Sequence, residues 1–222
     1  MSIRTCTILV MAFGVCVGTA VLPSDAAACG GEWYPEAIQV DPRIHGVAQA
    51  EKALAAGDRL AAAASVIRMM PHIKTLKAKP SSLVGRAERV LAVALSRSGG
   101  ALPASREVPR EVLGAWEGVK EGDPARNLAW SVDVLRRQAS AKADDVVLRT
   151  ELAEAMARVP EHRSEARGLL EDLAKRDLIA SPEGYAALAS LRRQSGDTSG
   201  QALALKRCEA MAKRQDACVL RS

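Results

Sequence analysis

The sequence predicts an all-α fold, antiparallel helical hairpins stacked as a short solenoid, on three observations. Hydrophobic residues make up 48% of the 222 residues but aromatics only 3%. The apolar content is therefore mostly Ala, Leu and Val, which suits closely packed helices and gives little material for a β-sandwich. Second, a pattern recurs with a 36-residue offset, pairing Leu152-Ala153 with Leu188-Ala189 and Ala166 with Ala202. Third, five successive segments after position 124 place their apolar residues on one helical face.

The first element is an export signal over residues 1–28. It holds Arg4, an apolar run over 8–21 interrupted by Gly14 and Gly18, the helix breaker Pro23, and the small residues Ala26-Ala27-Ala28. The run falls short of the roughly 20 residues that a membrane span needs. Ala26-x-Ala28 fits ordinary cleavage, whereas Cys29 directly after small residues resembles a bacterial lipobox, with Ala26 at the usual leucine position. Free export and a membrane tether through a lipidated Cys29 both stay open here. Cysteine arithmetic bears on the choice, because Cys6 and Cys16 leave with the signal and Cys29, Cys208 and Cys218 remain. With Cys29 lipidated, Cys208 and Cys218 form one disulfide pair whose loop of about 11 residues contributes roughly 3 kcal/mol; otherwise one thiol is left over.

Residues 29–42, with Trp33, Tyr34 and Pro35, have no helical period and read as an extended lead-in. Residues 43–98 hold a helical hairpin, 44–56 and 59–70, divided by Gly57-Asp58 as helix stop and N-cap, and then a helix over 82–96. Between them, after Pro71, lies a basic linker with Lys74, Lys77 and Lys79 expected on a solvated face. Residues 99–125 form a connector punctuated by Pro103, Pro109 and Pro124, with one short helix over 110–120. Residues 126–215 form the helical array, and 216–222 a tail. Its five stripes are Leu128, Val132, Leu135 and Ala139; Leu148, Leu152, Ala155, Met156 and Val159; Ala166, Leu169, Leu170, Leu173 and Ala174; Tyr185, Leu188 and Leu191; and Ala202, Leu205, Cys208 and Ala212.

Within this array Tyr185, Leu188-Ala189, Gly196-Asp197, Ala202, Leu205 and Cys208 resemble a divergent tetratricopeptide repeat. Leu152-Ala153, Ala166 and Leu170 look like the same unit one repeat earlier, and residues 50–69 around Gly57-Asp58 like a third. The resemblance covers about two thirds of the mature chain. It implies a tetratricopeptide-like α-solenoid that binds a protein or peptide partner in the concave groove lined by the first helix of each hairpin. On that carry-over Arg149, Arg192 and Arg193 are the groove candidates, suited to an acidic peptide or a carboxylate.

Other chemistry finds no support in the residues. His45, His72 and His162 stand alone, without metal-ligand spacing. No Gly-x-Ser-x-Gly turn is present, and Gly99-Gly100 lacks the strand and lysine of a phosphate loop. Asp144-Asp145 and Glu171-Asp172 are helix neighbours pointing about 100° apart, so they do not converge on a substrate. The net charge of +5 comes from 31 basic and 26 acidic residues intermixed along the chain, with no aromatic-studded basic stripe for nucleic acid. The expectation is an exported scaffold or adaptor for a protein partner in the cell envelope, without catalysis, metal or cofactor. The alternative is an envelope lipoprotein anchored at Cys29 with a structural role in secretion or outer-membrane assembly.

Overall fold

The computed structural model describes residues 41–102 and 123–219. The segment expected to direct export, the expected lead-in up to residue 40 with Cys29, the helix expected over 110–120 and the last three residues lie outside them, while Asp41 and Pro42, expected to end the lead-in, cap and begin α1. The described residues are helical throughout: α1 (Pro42–Ala55), α2 (Arg59–Met69), α3 (Leu83–Arg97), α4 (Pro124–Ala141), α5 (Val146–Ala157), α6 (Arg163–Lys175), α7 (Pro182–Gln194) and α8 (Thr198–Met211). Single 3-10 turns stand at Ile73–Thr75, Pro160–His162 and Gln215–Cys218.

Helix starts follow from short polar side chains. Asp41, Asp58, Ser82, Asp123, Asp145, Ser181 and Asp197 each accept a hydrogen bond from a backbone N–H of the first turn. These are donors that the helix itself leaves unpaired. Stops come from glycines with positive φ, Gly57 at 81° and Gly196 at 77°. Gly100, at φ 83°, has a second constraint, since a Cβ there would lie 2.2 Å from the carbonyl oxygen of Pro124. That glycine lets the chain pass tightly under the start of α4.

Each helix packs on the next in sequence, and in addition α1 packs on α3, α3 on α5 and α5 on α7. The even-numbered helices make no comparable contacts with one another. This is the packing of a curved hairpin stack whose first helices form the inner, tighter layer. The core has two lobes. Val47, Ala62, Ala63, Val66, Ile73, Leu91 and Leu95 fill the first, and Val132, Leu135, Leu152, Met156, Leu170, Leu173 and Leu188 the second. Helix α3 joins them, turning Val90, Leu91, Ala94 and Leu95 to one side and Ala92 and Val93 to the other.

Two expectations are corrected. The linker after Pro71 is not wholly solvated: Lys77 and Lys79 are exposed, but Lys74 is buried. Its Nζ donates to Asn127 Oδ1 at 2.9 Å, and Asn127 Nδ2 donates to the Gly100 carbonyl at 2.8 Å. Ile73 is drawn into the first lobe and carries its neighbour inside with it. The 36-residue offset holds for the inner helices, where Leu152-Ala153 and Leu188-Ala189 are all buried. It fails for the outer ones: Ala202 is exposed, and Ala204 and Cys208 take the buried positions matching Ala166 and Leu170. Helix α8 ends the described array and is covered on one face only, so Ala202 and Leu203 turn outward.

Candidate functional site

The inner layer borders a cavity of about 720 Å³. Leu54 of α1, Val90 of α3 and Ala186 and Ala187 of α7 supply apolar floor, with Leu128 of α4 behind it. Val147, Met211 and Val219 also line it while remaining 42%, 42% and 58% exposed. Half of the large hydrophobic side chains exposed among the described residues therefore face one concavity. Concentration of that kind marks a surface that gains from being covered.

The floor is crossed by paired charges on the inner helices. Arg89 and Arg97 of α3 lie eight residues apart, and Glu151 and Glu154 of α5 three apart, so each pair shares a helix face. Arg89 makes a two-pronged bond to Glu151 at 2.7 and 2.8 Å, and Arg97 does the same with Glu154 at 2.9 and 3.3 Å. Glu154 also accepts from the Ser181 hydroxyl, and Glu183 of α7 stands 3.6 Å from Arg97. Burial pulls the Arg97 pKa down, but the carboxylates of Glu154 and Glu183 outweigh it and hold the group above its ordinary value. Burial pushes the Glu151 carboxyl up, and only part of that is returned by Arg89. Such a ladder locks three inner helices in register.

One wall comes from far along the chain. The segment after α8 carries Lys213, Arg214, Asp216 and Ala217 to the cavity edge, and Cys208 is joined to Cys218 with a Cα–Cα distance of 5.8 Å. Asp216 receives Arg59 Nη2 at 3.3 Å, and Arg59 Nη1 also donates to the Arg97 carbonyl at 2.8 Å. Arg214 reaches the Gly57 carbonyl at 3.5 Å. The end of the array thus meets the α1–α2 turn, 157 residues away.

The arginines expected in the groove are elsewhere. Arg149 pairs with Asp172 of α6 at 3.2 Å. Arg192 holds Glu171 at 2.9 and 2.6 Å and the Gly200 carbonyl at 2.8 Å, bracing α6, α7 and α8 together. Arg193 is exposed and does not border the cavity. The reason is rotation: Arg149 and Arg192 each stand two residues, about 200°, past Val147 and Ser190, which do face it. The cavity's cations are instead Arg59, Arg89, Arg97, Arg158, Arg163, Lys213 and Arg214, set against the acidic Glu51, Glu151, Glu183 and Asp216. A cue in the sequence was the charged residue inside an otherwise apolar stretch, as at Glu151 and Glu154 beside Leu152-Ala153. The roles of the two arginines part on substitution. Arg192→Ala is expected to cost about 1–2 kcal/mol, a drop of several degrees in Tm. Arg193→Ala should leave Tm within about 1 °C. Thermal melts of the two variants decide this, and equal drops would reject the brace.

His45 and His72 are exposed, and His162 lies 3.9 Å from Glu165. Among the described residues no three His, Cys, Asp or Glu side chains gather as a metal site, and no helix is long and apolar enough to cross a membrane. Comparison of the chain with protein-family models, curated proteins and solved structures found no match.

Proposed function

We propose that this chain is an exported helical-repeat adaptor that holds a segment of a protein partner against its inner helices. The observation that carries the reading is the convergence of Val147, Met211 and Val219, all exposed, on one cavity with an excess of basic side chains. Apolar side chains of a partner would cover the floor, and its acidic groups would meet the basic rim. The hairpin stacking, with first helices inside, supports a tetratricopeptide-like use of the concave face. The one hydroxyl–carboxylate pair described at the cavity, Ser181 with Glu154, is tied into the fold, since Ser181 also caps α7 through the Gly184 N–H and Glu154 is gripped by Arg97, so binding explains the arrangement better than catalysis.

The test is site-specific photocrosslinking in intact cells from Val147 and Ser190 on the inner face, with Leu203 on the outer face of α8 as control. A discrete adduct from the inner positions and none from Leu203 is the expected result. The same adducts from all three positions, or none from the inner two, would overturn the reading.

A further inference from the structure

We propose that the segment after α8 is a redox-controlled strap, held over the cavity by the Cys208–Cys218 disulfide and released when that bond is reduced. The inference rests on the reading of the cavity as a binding site, whose access the strap would regulate.

Three observations support it. Lys213, Arg214, Asp216, Ala217 and Val219 all border the cavity beside Met211 at the end of α8, so this short segment forms one of its walls. The disulfide anchors that wall to the body of α8, with Cys208 fully buried and Cys218 half-buried. Beyond it, the Gln215–Cys218 turn packs on α7, while the polar contacts described between the strap and the α1–α2 hairpin are long and partly exposed: Asp216 to Arg59 at 3.3 Å and Arg214 to the Gly57 carbonyl at 3.5 Å. Contacts of this exposure and length hold a segment weakly. The structure is also prepared for the reduced form. Sγ of Cys208 lies 3.0 Å from the carbonyl oxygen of Pro182. In the disulfide that sulfur has no hydrogen to give; as a thiol it would have an acceptor already in place.

The chemistry is exchange with an external dithiol. One of its thiolates attacks Sγ of Cys218, the more accessible sulfur, and the S–S bond breaks. The electron pair stays on Sγ of Cys208, which takes up a proton. The second thiol of the reagent then displaces Cys218, so the dithiol leaves as its own disulfide and both cysteines of the chain end as thiols. Loss of the short covalent loop frees the strap from α8, and the cavity opens on the side of the α1–α2 turn.

Hydrogen exchange of the intact mature protein tests this without a ligand, on oxidised protein, dithiothreitol-reduced protein and the C208S/C218S variant. Expected on reduction is an acceleration on the order of a hundredfold at 212–219 and a clear rise at 57–59, with α4 and α5 unchanged. No change at 57–59 would mean that the strap stays closed. Acceleration through α4 and α5 as well would mean that the bond is a general staple, and either result overturns the proposal. Failure of the crosslinking experiment with strap opening intact would instead sink the adaptor reading alone.

Discussion

Replacing Arg97 by alanine is expected to destabilise the fold by about 3–5 kcal/mol, because it leaves a buried carboxylate without its partner. The Arg97 side chain is 13% exposed and that of Glu154 5%, so neither is screened much by water. With the guanidinium gone, Glu154 keeps only the Ser181 hydroxyl among its described partners, and Glu183 loses its described ion-pair partner. A loss of this size is a large fraction of the 5–15 kcal/mol by which domains are stable. Urea unfolding measures it. The paired replacement R97M/E154L should recover most of the loss, since removing both charges removes the uncompensated one. A single variant within about 1 kcal/mol of the parent would show that the ladder does not hold α3, α5 and α7 in register.

Stability is also expected to rise with pH above neutrality through Lys74. Burial lowers its pKa from 10.5 to about 8, although it donates to Asn127. Between those values the unfolded chain binds the proton that the folded chain has given up. Unfolding therefore becomes less favourable as pH increases through the window, by up to about 3 kcal/mol between pH 8 and 10.5. The quantity to measure is the difference in unfolding free energy between the parent and Lys74→Met at each pH, which cancels groups common to both. That difference should grow in the parent's favour across the window. A flat difference would mean that the ammonium is as well accommodated inside as in water.

Helix positions were legible because their signals are local. Asp58 after Gly57 and Ser181 before Pro182 set helix boundaries through bonds spanning two or three residues, and the structure places α2 and α7 within a residue or two of expectation. The inner repeat was legible for the same reason, since Leu152-Ala153 and Leu188-Ala189 bury against neighbouring hairpins of similar shape. Residues judged from a repeat carry-over were less so. Arg192 lies on a predicted helix, but whether it faces a groove or a neighbouring helix depends on rotation, and 200° separates the two outcomes. Lys74 misled in the same way, because a lysine in a basic linker carries no local mark of a buried Asn127 53 positions downstream.

By itself, the sequence determined most helix positions, their order and the inner Leu-Ala contacts, because capping and helical periodicity are short-range signals. Only the tertiary structure decided which charges the cavity uses and how it is closed. Arg89 with Glu151, Arg97 with Glu154, and Asp216 with Arg59 join residues 57 to 157 positions apart. Those pairings depend on the curvature of the whole stack, which arises from tighter packing among α1, α3, α5 and α7 than among the helices outside them.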